Sequence, residues 1–154
     1  MSVELPPSLL TLRELCSADA DMHYFELLSN LTTAPVMAPD DFAATLADMQ
    51  RRGSRVFVFV DDAAKRIAGT ATLLVERKLI RGGSLVGHIE DVVVHPSYQG
   101  HRLGHRLIEH ICSQAKLEGC YKVILDSNEA NVTFYEKCGF FRKEIQLRRD
   151  LSSL

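Results

Sequence analysis

"VVVHPSYQGHRLGHRLIEHI", residues 92–111, decides the fold. A β-branched run ends at Pro96, a turn carries Gly100, and apolar residues then recur with helical spacing at Leu103, Leu107, Ile108 and Ile111. The stretch reads as strand, turn, helix. Its charges have the wrong sign for a free helix start. His101, Arg102, His105 and Arg106 gather there with no carboxylate before Glu109, whereas the positive end of the helix dipole favours anions. A start of this kind exposes backbone N–H groups that no upstream carbonyl satisfies, so an anion such as a pyrophosphate would find donors, dipole and cations together. A tight turn with solvated basic residues is the plainer alternative. A metal held by His101 and His105 is disfavoured, because no third ligand or H-E-x-x-H pattern accompanies them.

Outward from this stretch, the pattern is regular. Residues 9–15 alternate as a first strand, and "CSADADMHYFELLSNL" offers a helix with Ser17 as N-cap and a stripe through Phe25, Leu28 and Leu31. "PDDFAATLADMQRRG" is a second helix, with Pro39 and two aspartates at its start and Gly53 beyond its end. "VFVFV" (56–60), "IAGTATLLVERKLI" (67–80) and "LVGHIEDVVVH" (85–95) form three meander strands separated by turns. After the helix from 103 to 118 come a strand "YKVILD", a short helix "NVTFYEKCG" capped by Asn131, and a last strand "FFRKEIQLRRDL". The order β-α-α-β-β-β-α-β-α-β predicts an α/β (α+β) fold, a mixed and mostly antiparallel sheet covered by helices.

The chain has 154 residues, enough for one domain over 1–154 with its own core. A net charge of −2 argues against a nucleic-acid surface, and no apolar run approaches the about 20 residues of a membrane span. Cys16, Cys112, Cys120 and Cys138 lack C-x-x-C spacing and read as buried, reduced thiols, hence an intracellular chain. The compartment would be the cytoplasm, or a peroxisome-type organelle (a glycosome) if the final Ser-Ser-Leu acts as a degenerate targeting tripeptide.

A strand followed by Gln/Arg-x-x-Gly-x-Gly/Ala and a helix resembles the acetyl-CoA loop of the GNAT acetyltransferase superfamily. More narrowly, "VERK", "GHIEDVVV", "YQGHRLG", "GCYKVILD" and "NVTFYEKCGF" are similar to segments of the glucosamine 6-phosphate N-acetyltransferase family. Arg102 departs from the general pattern, which has glycine there. The resemblance implies a GNAT fold with a splayed central strand pair, acetyl-CoA as cosubstrate and no metal. Val92, Val93 and Val94 would pair with the pantetheine arm as an added strand. Gly100, His101, Arg102, Leu103, Gly104 and His105 would seat the pyrophosphate, with Gly100 and Gly104 leaving room for it, and Asn131 would touch the cofactor. Arg102 and Arg106 would also reach the 3′-phosphate, unless solvated.

For the chemistry, the resemblance implies direct attack by the amine of an amino-sugar phosphate. Glu90 would accept a proton, Asp126 would orient the amine or a hydroxyl, and Tyr135 would donate to the departing sulfur. A phenol stays protonated at neutral pH, as a thiolate stabiliser must. Glu90 and Asp91 fall on opposite faces of a regular strand. The other substrate contacts implied are Thr33, Lys78, Leu79, Ile80, Arg81, Asp91 and Arg148. The alternatives are a capping role for Asp126, core packing for Tyr135 and a structural pairing for the two adjacent carboxylates. Cys138 reads as packing rather than an acetyl relay. A homodimer is implied, with the sugar site at its interface and the C-terminal strand packing across it. Other functions in view are acetylation of a peptide or polyamine amine, and a non-catalytic acetyl-CoA sensor.

Overall fold

A computed structural model describes residues 9–152. Its centre is a five-stranded sheet in the order β1-β2-β3-β4-β5, made of β1 (Leu10–Glu14), β2 (Ser54–Asp61), β3 (Arg66–Arg77), β4 (Leu85–Val94) and β5 (Cys120–Ile124). The first four strands form an antiparallel meander, and β5 joins β4 in parallel. Alternation along β2 explains both cores. Val56, Val58 and Val60 face α1 (Tyr24–Leu28) and α2 (Pro39–Arg51), while Phe57 and Phe59 face α4 (Leu103–Leu117). A single broken turn, α3 (Ile80–Gly83), joins β3 to β4, and α5 (Val132–Lys137) follows β5.

The helix α4 forms for the reason its spacing suggests. Leu103, Leu107, Ile108, Ile111 and Ala115 are all buried, and each large aliphatic side chain contributes about 1.5–3 kcal/mol by leaving water. Gly119, at φ 92°, ends the helix in the left-handed region open to glycine. Gly87 lets α4 ride low on β4: a Cβ there would meet Leu73, Val123 and Ala115 at 3.1, 3.3 and 3.4 Å.

Four expectations need correcting. Ser17 does not cap a long first helix. A 3₁₀ turn spans Ser17–Asp21, the Asp19 carboxylate accepts from the Cys16 N–H at 2.8 Å, and His23 at φ 56° separates the turn from α1. The buried positions of α1 are Tyr24, Phe25 and Leu27, whereas Leu31 is exposed. The cysteines are free but none is deeply buried, and Cys16 is exposed. The predicted last strand is absent among the described residues. Residues 140–152 pair with no strand, and Phe141, Ile145, Leu147 and Leu151 stand exposed. Its alternating pattern is a strand pattern without a strand to meet inside one chain. Of the Ser-Ser-Leu expected as a degenerate targeting signal, Ser153 and Leu154 lie outside the described residues.

Candidate active site

The site begins with a register shift. Thr72 pairs with Glu90 and Thr70 with Val93, so Asp91 and Val92 together face Ala71. This β-bulge holds Asp91 at φ 52°. The simple alternation expected for Glu90 and Asp91 therefore fails at Asp91. The pairing of β4 with β5 stops at His88–Ile124. From Ile89 onward the β5 side of β4 has no strand partner among the described residues, and the two strands splay as expected.

A cleft of about 510 Å³ opens there. Val92, Val93 and Val94 line one wall, Gly100, Arg102, Leu103, Gly104 and His105 the floor, and Asn131 and Tyr135 the other wall. Gly100 (φ 91°) and Arg102 (φ 58°) turn the chain through left-handed backbone into α4. As a result the six successive N–H groups from Gly100 to His105 find no acceptor among the described residues. Six unpaired donors at the start of a fifteen-residue helix are the groups an anion would need there.

The side chains around this seat divide. His101 does not line the cleft. His105 Nδ1 lies 3.3 Å from Cys138 Sγ, tying α4 to the end of α5. The Arg106 guanidinium stacks over Phe59, 4.6 Å from its ring centroid. It is a β2 contact, not a cradle contact. Gly104 is needed less for the anion than for α5: a Cβ there would come within 3.1 Å of Phe134 Cζ.

Tyr135 sits half-buried between Phe134 and Phe140, at centroid distances of 5.0 and 6.1 Å. Its hydroxyl has no hydrogen-bond partner among the described residues. Burial, and then the neighbouring Cys138 thiol, push its pKa above the ordinary phenol value. It is a protonated donor facing the cleft. Asn131 holds the N-cap position of α5 as expected but makes no side-chain capping bond, while Asn128 caps the preceding 3₁₀ turn Glu129–Asn131, its Oδ1 accepting from the Asn131 N–H at 3.0 Å.

The carboxylates gather beyond Val92. Glu90 is raised above the ordinary carboxylate range by partial desolvation of its carboxyl, then by the charges of Asp91 and Asp126. The residue as a whole is exposed, which leaves the carboxyl open to substrate. Asp126 Oδ2 accepts from Gln146 Nε2 at 2.9 Å, so the C-terminal segment already reaches this side.

The remaining predicted sugar contacts are engaged by neighbours of their own or exposed. Lys78 pairs with Glu76 at 2.7 Å, and Glu76 also holds His88 Nε2 at 2.8 Å. Arg81 stacks on Tyr121 at 5.0 Å. Leu79 is 97% exposed and Ile80 also points to solvent. Thr33 is exposed on the loop after α1, and Arg148 pairs with Asp150 at 2.7 Å on the outer surface. Four cleft residues escaped the sequence reading as site residues: Tyr98, Gln99, Phe134 and Lys137. The first two sit immediately before Gly100, and that adjacency was the available signal. Among the described residues no three His, Cys, Asp or Glu side chains are placed to hold a metal ion.

A splayed parallel strand pair opening onto a glycine-bearing anion loop is the architecture of an acyl-CoA-dependent acyltransferase. The family model of the acetyltransferase (GNAT) family matches residues 22–140, and the chain belongs to that family. It is 49% identical over 143 residues to the glucosamine 6-phosphate N-acetyltransferase of Trypanosoma brucei brucei, covering 92% of this chain and 96% of that protein. Two crystal structures share the fold. A Trypanosoma brucei acetyltransferase superposes with a TM-score of 0.88 at 46% identity, covering 92% of this chain and 99% of that one. The glucosamine-6-phosphate N-acetyltransferase of Arabidopsis thaliana gives 0.89 at 32% identity, covering 93% and 99%.

Proposed function

We propose that the chain transfers the acetyl group of acetyl-CoA to the amine of D-glucosamine 6-phosphate, giving N-acetyl-D-glucosamine 6-phosphate and CoA. One observation carries the reading: the edge of β4, unpaired among the described residues, leads through one 3₁₀ turn into six N–H groups that are likewise unpaired. Pantetheine and pyrophosphate have that shape, an extended amide chain ending in an anion. The sugar as acceptor rests on the similarity to the two glucosamine 6-phosphate enzymes, and on the Glu90, Asp91 and Asp126 carboxylates beside the thioester end of that path.

The chemistry needs a neutral amine and a stabilised thiolate. A 2-amino sugar's ammonium is more acidic than lysine's, because electron-withdrawing oxygens flank it. Glu90, made more basic by partial desolvation and by the charges of Asp91 and Asp126, accepts its proton directly or through water. The amine attacks the thioester carbonyl, a C–N bond forms and the C–S bond breaks. Tyr135 donates its hydroxyl hydrogen bond to the sulfur as negative charge develops there.

Recognition of the 6-phosphate falls to Lys78, Arg81 and Arg148. Their dispersion in one chain, with the exposed apolar segment at 141–151, supports a homodimer in which the C-terminal segment completes the partner's site. Thiol release from acetyl-CoA with glucosamine 6-phosphate, glucosamine 1-phosphate, glucosamine and a lysine peptide tests the assignment. The 6-phosphate should be strongly preferred. Equal rates with unphosphorylated glucosamine would refute the substrate, and binding of acetyl-CoA without turnover of any acceptor would indicate a sensor.

A further inference from the structure

Asp61, at the end of β2, is 2% exposed yet forms no ion pair among the described residues. Its Oδ1 accepts from the Ala64 N–H at 2.9 Å, and its Oδ2 from the Tyr98 hydroxyl at 2.6 Å. That short bond is charge-assisted, and it is the only side-chain donor the buried carboxylate has among the described residues. Burial, then the bond to Asp61 and its charge, push the Tyr98 phenol up to about 12. Its proton therefore stays in place across the working pH range.

The position of Tyr98 gives the bond its consequence. The residue ends the 3₁₀ turn Pro96–Tyr98 and lines the cleft beside Gln99 and Gly100. Upstream the turn is well held: His95 N–H donates to Ala68 O at 2.8 Å, and Tyr98 N–H to His95 O at 2.8 Å. Downstream the hold weakens. Gln99 N–H reaches Pro96 O only at 3.4 Å, and from Gly100 to His105 no backbone N–H is engaged by the described residues. The phenol is thus the last firm anchor before the six free donors. It ties them to a different strand, β2, across the sheet.

We propose that Tyr98, held by Asp61, is a positioning residue that presets the pyrophosphate loop, so that its N–H groups are aimed before the cosubstrate arrives. The inference rests on the reading of that loop as the acetyl-CoA pyrophosphate seat. Preorganisation of this kind lowers the ordering cost of binding and leaves the bond-making step untouched.

The test pairs two thioesters: acetyl-CoA, and S-acetylpantetheine, which lacks the pyrophosphate. Tyr98→Phe should raise the KM and Kd of acetyl-CoA about tenfold, the loss of roughly one charge-assisted hydrogen bond. The kcat and the sugar's KM should stay within about twofold, and kcat/KM for S-acetylpantetheine should not change. Asp61→Asn should hold acetyl-CoA affinity within about threefold, because its Oδ1 still accepts from Ala64 and its amide can donate to the phenol oxygen. If Tyr98→Phe folds poorly around the abandoned carboxylate, the double variant Asp61→Asn/Tyr98→Phe removes that charge and should show the same selective loss. Wild-type affinity in the phenylalanine variants, or equal losses with both thioesters, would overturn the proposal. A wild-type protein that does not prefer acetyl-CoA over S-acetylpantetheine would instead refute the pyrophosphate seat itself.

Discussion

Arg102 is the residue at which this chain departs from the glycine of the general superfamily loop, and Arg102→Gly should stabilise the protein. The arginine sits at φ 58°, ψ 25° in the N-cap position of α4. Left-handed backbone costs a residue with a Cβ about 1–2 kcal/mol. Glycine's greater freedom in the unfolded chain takes back about 0.5–1 kcal/mol. The net gain is about 0.5–1 kcal/mol, and for a chain of this size each kcal/mol moves Tm by about 2–4 °C, so Tm should rise by about 1–4 °C. Removing a cation from the positive end of the helix works in the same direction. Calorimetry without ligand measures the gain. Acetyl-CoA titration then separates side chain from backbone. The six N–H groups are untouched, and an exposed arginine adds about 1 kcal/mol or less, so acetyl-CoA affinity should fall no more than about fivefold. A lowered Tm would refute the strain argument. A hundredfold loss of affinity would show that the guanidinium, and not the backbone, is the main grip.

Tyr135→Phe should lower kcat about 10- to 100-fold with little change in acetyl-CoA KM, since a hydrogen bond to a developing thiolate is made mainly in the transition state; an unchanged kcat removes the residue from catalysis. Glu90 carries a linked pair of effects. Its pKa is raised in the fold, so the folded state favours the protonated form and loses stability as pH rises through that pKa. Glu90→Gln should therefore melt higher than wild type at neutral pH, the difference vanishing in acid. Its turnover should fall, and the wild-type acidic limb of kcat, lying above the ordinary carboxylate range, should flatten. A stability difference that persists at pH 3 would contradict the sign. Deleting residues 144–154 should convert a dimer into a monomer by light scattering. A truncated chain that still dimerises would remove the C-terminal segment from the interface.

How far the site could be read in advance depended on whether its geometry is local. The proposed anion seat is local, since a glycine, a helix start and misplaced cations lie within a few residues, and Gly100, Arg102, Leu103, Gly104 and His105 line the cleft while His101 does not. The splay of β4 from β5 came with the resemblance, and its cause lies in register. Asp91 adopts φ 52° with no glycine to announce it. The two adjacent carboxylates in an apolar strand were the available trace. Tyr98 and Asp61 stand 37 residues apart, and nothing in the spacing of either marks the other. The last strand fails for the opposite reason. Its alternation is clear, but alternation says only that one face must be covered, and not that the same chain covers it.

The bulge at Asp91 ties these parts into one device. Before it, His88 and Glu90 share the face that carries α1 and α2. After it, Val93 takes that face one residue later than alternation would allow. The inserted residue bends β4 away from β5 just past His88, which frees the backbone edge at Val92–Val94. The same insertion leaves Glu90 at the rim of the gap, beside Asp91 and within the field of Asp126. On the proposed mechanism, a single backbone irregularity therefore opens the path for the acyl carrier and sets the proposed proton acceptor at its end. Strain at a non-glycine residue of about 1–3 kcal/mol persists only where surrounding structure over-determines it. Here the Thr70–Val93 and Thr72–Glu90 pairs clamp it from both sides. The open edge of β4 and the position of Glu90 are consequently not independent features of this fold. A change that restored regular pairing across Ala71 would close the one and displace the other together.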